Sequence, residues 1–182
     1  MQNLRSSLRN FSWFGLLICF FLPFCRGCNN APFVPAEAAF KNPAAFLFAG
    51  TPFLYPLLIL LGWFIAKKFS RAAKSLYGVN LALILGFGTL ILYFTFFEKN
   101  IGKNFEPWEI LVAVAVVLLI AWSIATFVGK KANLLNAAAF QQSAMSLIWI
   151  ASNIFWNNDI LYGGWLSLGL AATATLLAFP WR

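Results

Sequence analysis

The chain has 182 residues, 62% hydrophobic and 18% aromatic, with only 10% charged. A water-soluble domain carries about 25% charged residues, so a composition this apolar points to lipid as the main solvent and leaves no length for a separate soluble module. The net charge of +8 is broken up between apolar runs, a membrane pattern that argues against a nucleic-acid surface.

Taken in order, the apolar runs predict an all-α, polytopic membrane bundle of six spans forming one domain over 1–182. A spanning helix needs about 20 apolar residues. The first run, 11–24 (FSWFGLLICFFLPF), is short, and Pro23 is expected to bend or end it. Its basic start and apolar core resemble a signal peptide, but no small-x-small cleavage site follows and the residues before Cys28 are wrong for lipidation. It is therefore read as a retained helix. A loop with Pro32, Pro35 and Pro43 comes next, and its middle, AEAAFKN, suggests a short helix on the membrane surface. The remaining spans are expected at about 44–66, 75–97, 108–128, 134–156 and 160–181. None shows the alternation of a membrane barrel strand.

Charge placement sets the orientation. With six spans and the N-terminus inside, Arg5, Arg9, Lys67, Lys68, Arg71, Lys74, Lys130, Lys131 and Arg182 fall inside. Arg26, Lys41, Lys99 and Lys103 fall outside, with all five acids, Glu37, Glu98, Glu106, Glu109 and Asp159. The Lys and Arg bias places both termini in the cytoplasm, with a bacterial inner membrane as the expected location. Tryptophans cluster near both predicted boundaries, the depth an indole prefers. The segments Phe64-Ile-Ala-Lys-Lys68 and Phe127-Val-Gly-Lys-Lys131 hint at a duplicated helical hairpin, although inward spans commonly end this way.

Chemistry is sparse. The absence of histidine removes histidine-ligated metal or haem and the commonest general base, and any other cofactor is left open. All acids lie in predicted loops, which argues against an ion-coupled pump. Cys25-Arg26-Gly27-Cys28 leaves the first span on the outer side. It reads either as a structural disulfide or inert thiols, or as a redox pair in which Arg26 favours a thiolate. In these four residues it resembles the quinone-linked membrane oxidoreductases that regenerate periplasmic disulfides. The second cysteine pair such a relay uses is missing.

The fifth span is the most polar. Gln142, Ser146, Trp149, Asn153 and Trp156 fall on one helical stripe, with Asn136, Ser143 and Asn157 nearby. Amides in hydrocarbon need partners, so this face is expected to look into protein, as interhelical hydrogen bonds or as a site for a polar ligand, pigment or lipid headgroup. Small residues at spacing four suggest close helix packing: Gly78, Ala82 and Gly86 in the third span, and Gly163, Ser167 and Ala171 in the sixth. These features favour a small, non-catalytic subunit or scaffold, packed by such faces into a larger membrane assembly. The partners would then be the bilayer and other membrane subunits. The alternatives are a small transporter or ligand-binding protein using the fifth span, and a thiol oxidoreductase using Cys25 and Cys28.

Overall fold

The computed structural model describes residues 2–26, 31–41, 61, 62, 65, 70–93, 106–129, 134–156 and 159–179. Among these are six helices and one pair of two-residue strands: α1 (Gln2–Cys19), β1 (Cys25–Arg26), β2 (Pro32–Phe33), α2 (Pro35–Lys41), α3 (Ser70–Tyr93), α4 (Pro107–Val128), α5 (Leu134–Trp156) and α6 (Tyr162–Ala178). The fold is mainly helical. One described helix, α4, is long and apolar enough to cross a membrane by itself. Nearly all of the second expected span, 44–66, lies outside the described residues.

α4 begins where local chemistry puts it. Pro107 takes the first helical position, where its missing N–H costs nothing. The Glu106 side chain accepts from the backbone three residues on, while Glu109 Oε2 accepts from the Glu106 N–H at 3.0 Å. This reciprocal pair satisfies two otherwise orphaned donors. It also accounts for Glu109, which is buried in the first turn of the helix and not in a loop.

α1 differs from expectation. It starts at Gln2 and stops at Cys19, several residues earlier at both ends than the 11–24 run. Arg5 finds partners there: its Nε–H donates to Leu177 O at 2.8 Å and its Nη2 donates to Phe179 O, at the carbonyl end of α6. After Cys19 the chain makes a turn, with Phe21 N–H to Ile18 O and Leu22 N–H to Cys19 O, and then becomes extended.

The extended piece forms a clasp that the sequence pattern did not signal. Cys25 pairs with Phe33 and Arg26 with Pro32, antiparallel, while Cys25 also bridges to Ile160. Arg26 N–H donates to Asp159 O, Leu161 N–H to Phe24 O and Gly163 N–H to Pro23 O. Segment 23–26 is thus held between β2 and the entry to α6. A Cβ on Gly163 would sit 2.5 Å from Pro23 O, and one on Gly164 would sit 2.7 Å from Phe24 O. Only glycine allows this approach.

Hydrogen bonds and shared clusters fix the helix directions. α1 and α6 are antiparallel, joined by Arg5 at one end and by the clasp at the other. Tyr77 near the start of α3 donates to Ser123 O near the end of α4, so these two are also antiparallel. Asn80 meets Ala138 and Gln142 near the start of α5, so α3 and α5 run the same way. α5 packs against α3, α4 and α6, and α6 packs against α1. The first cluster joins Trp13, Leu16 and Cys19 to Ile150, Ile154, Ala171 and Ala174. A second joins Ile84 and Leu119 to Ala144 and Met145.

Candidate functional site

α5 occupies the centre, and this decides the fate of its polar residues. Gln141, Gln142, Ser143 and Ser146 are all buried, as are Ala137, Ala138 and Ala139. A helix surrounded on most sides hides more than one stripe. The sequence pattern implied a single polar face. Gln141, a residue away from that face, is fully buried as well.

Two of these groups, Gln142 and Ser143, are joined across helices. Trp13 Nε1–H donates to Ser143 Oγ at 3.0 Å, tying α1 to α5. Gln142 Nε2 donates to Asn80 Oδ1 at 2.6 Å, and Asn80 Nδ2 reaches Ala138 O at 3.5 Å. Tyr77 OH donates to Ser123 O at 2.7 Å, and its ring stacks on Phe127 with centroids 6.0 Å apart. Asn80 and Tyr77 were not singled out by the sequence reading. The available signal was a lone amide, Asn80, one turn after a tyrosine within an otherwise apolar run. Among the described residues, both amide atoms of Gln141, Gln142 Oε1 and Ser123 Oγ are buried without a protein partner, as are Arg9 Nε and Asn10 Oδ1 on α1.

The other expected fifth-span residues are less central. Trp149 is half-buried and meets Phe87 edge-on at 5.8 Å. Asn153 is half-buried and donates to Trp149 O at 2.9 Å, one turn back on its own helix. Asn136 is exposed, so it does not line the interior.

The small-residue faces divide. Gly163, Ser167 and Ala171 are all buried, and Ala171 sits in the cluster shared with α1 and α5. On α3, Ala82 and Gly86 are exposed, and a Cβ at Gly78 or Gly86 meets nothing within 4 Å. Among the described residues that face is open. The tight glycine of α3 is Gly88, whose added Cβ would lie 2.9 Å from Val116 of α4.

At the clasp, Cys25 is a buried free thiol, and Cys28 lies outside the described residues. Alternation along β1 sends Cys25 inward and Arg26 out to solvent. Burial pushes the Cys25 thiol above its ordinary range. Arg26 faces solvent, and the effect on the Cys25 thiol is that of burial.

An open apolar groove of about 330 Å³ runs over α5 between α4 and Phe179, lined by Leu118, Trp122, Phe140, Ala144 and Ile148 among others. It carries almost no polar surface, so it suits a hydrocarbon chain better than a polar ligand. Among the described residues no group of three or more acids or cysteines is placed to hold a metal ion. No family model, curated protein or solved structure matches this chain.

Proposed function

We propose that the chain is a non-catalytic, multi-pass subunit or scaffold of a larger membrane assembly. In this reading six spans cross a bacterial inner membrane, with both termini cytoplasmic. The observation that carries it is a core that holds many polar side chains beside its apolar ones, under a surface rich in large apolar side chains. Ser12, Asn80, Ser123, Gln141, Gln142, Ser143, Ser146 and Ser167 are buried, while Phe11, Phe14, Ile18, Leu111, Val117, Leu118, Val128 and Trp165 are exposed. Water would favour the reverse; lipid favours this arrangement. α4 sharpens the point. Only 28% of its most apolar 18-residue window is buried, whereas a core helix of a soluble protein would be covered on all sides.

The scaffold reading is favoured over a polar-ligand transporter because Gln142 and Ser143 of α5 are bonded to Asn80 of α3 and Trp13 of α1, whereas the unpartnered amide of Gln141 is the position a polar-ligand reading would use. The test is extraction and purification. After alkaline carbonate washing the chain should stay with the membrane pellet, and mild detergent should release it together with other membrane proteins. Release by carbonate would end the membrane reading, and isolation as a single stable species would end the subunit reading. A second reading, a ligand-binding membrane protein, rests on the apolar groove beside Trp122 and Phe140. Its volume is at the lower edge of the range typical of small-molecule pockets, and a co-purified apolar molecule would favour it.

A further inference from the structure

Among the described residues, Arg9 is a buried cation with no counter-charge beside it. It lies one turn after Arg5 and one turn before Trp13 on α1, and is only 6% exposed. Its guanidinium carbon sits 4.8 Å from the centroid of the Trp13 ring. Its Nε is sealed from solvent without a hydrogen-bond partner. Arg5 adds a like charge and has turned its own Nε and Nη2 donors to Leu177 and Phe179. The described acids, Glu37, Glu106, Glu109 and Asp159, belong to the opposite end of the bundle, with α2, the start of α4 and the clasp. Among the described residues the ion pair present is Lys41 with Glu37, also at that far end.

An arginine removed from water needs its charge balanced and its flat edge of donors satisfied. Stacking on Trp13 covers one face of the guanidinium and leaves the edge. The platform is fixed, because Trp13 is itself tied to Ser143 of α5 at 3.0 Å. With Nε enclosed, the Nη nitrogens are the donors through which such a guanidinium would receive an oxyanion in bidentate fashion.

We propose that Arg9, seated on Trp13 and reinforced by the charge of Arg5, binds a phosphate-type oxyanion at the basic end of the bundle. The group can arrive on an anionic phospholipid or as a free phosphate, and the chemistry at Arg9 is the same. The lipid source rests on the membrane reading above; the free-anion source does not.

The full chain, purified in mild detergent, is tested by thermal unfolding and native mass spectrometry with three probes: phosphatidylglycerol, phosphatidylcholine and inorganic phosphate. Phosphatidylglycerol or phosphate should raise the midpoint by several degrees and phosphatidylcholine should not. Arg9→Gln should weaken that binding roughly ten-fold or more, as expected for losing a charge-assisted bidentate contact. Arg9→Lys, which keeps the charge and loses the fork, should fall between the two and serves where the glutamine variant does not fold. Added sodium chloride should weaken binding to the unaltered chain, a readout that needs no variant. A response to phosphatidylglycerol alone assigns a lipid headgroup. A response to phosphate alone assigns a free anion, and would stand even if carbonate had released the chain from membranes. Equal binding by Arg9→Gln and the unaltered chain, or no response to either anionic probe, overturns the site.

Discussion

The Gln142–Asn80 contact is short, buried and flanked by apolar side chains, so each amide depends on the other. Removing one leaves a further polar atom of its partner, Asn80 Oδ1 or Gln142 Nε2, sealed without a bond, at a cost of about 1–3 kcal/mol. Removing both replaces a polar pair with an apolar one, and the intact bond across membrane helices is worth only about 0.6 kcal/mol. Gln142→Leu and Asn80→Leu should therefore each lower the midpoint of thermal unfolding in detergent, while the double variant should recover part of the loss. Additive losses would mean that the two amides act separately. Cys25 invites a different test. Thiolate is the reactive form, and burial raises the pKa of this thiol, so at neutral pH it is protonated and covered. Maleimide should label Cys25 in a Cys19→Ser, Cys28→Ser background far more slowly than the unfolded chain, and labelling should speed up only well above pH 8. Rapid labelling at pH 7 would favour the redox reading.

At the scale of the element, α4 presents Leu111, Val114, Val117 and Leu118 outward and Val116 and Leu119 inward. If the outer face meets lipid, Val117→Lys near the middle of the helix costs roughly 2.5–3.5 kcal/mol of insertion free energy. It should sharply reduce the membrane-inserted fraction in a glycosylation-reporter assay, whereas Val117→Leu should not. An inserted fraction unchanged by lysine would show that this face does not meet lipid. The bounds of α4 and α5 were legible to within about a residue of the expected 108–128 and 134–156. Their ends carry local signals: the Glu106-Pro107 start, Gly129 at the close of α4, and Lys130-Lys131 before α5. The short helix expected within AEAAFKN is present as α2. α1 was misjudged because its first two turns depend on distant carbonyls, Leu177 and Phe179, that no local window contains. The small-residue faces show the same limit. Spacing four marks both Gly78–Gly86 and Gly163–Ala171, but only the neighbouring helix decides which of them is covered.

For the whole molecule, the charge pattern read from sequence has a counterpart in the fold. Arg5, Arg9 and the start of α3 with Lys74 gather at one end, with the end of α4, while Glu37, Glu106, Glu109 and Asp159 belong to the other. Fusions after Gly129 should report the cytoplasmic side and fusions after Asp159 the opposite side; a cytoplasmic signal after Asp159 would reverse or break the proposed topology. The clasp was beyond the reach of sequence patterning, since two-residue strands carry no alternation, yet it joins the first helix to the last. Pro23 and Gly163 are about 140 positions apart, and a ribosome adding about 5–20 residues per second needs on the order of ten seconds to cover that distance. Throughout that interval the nascent first helix has neither the backbone donors of Leu161 and Gly163 nor the terminal carbonyls that Arg5 grips. It must wait, with Trp13, Leu16 and Cys19 uncovered, in the company of lipid, the insertion machinery or a chaperone. Assembly of this fold is therefore closed from its far end, and a chain cut short before Tyr162 leaves its oldest helix as the exposed signal for its removal.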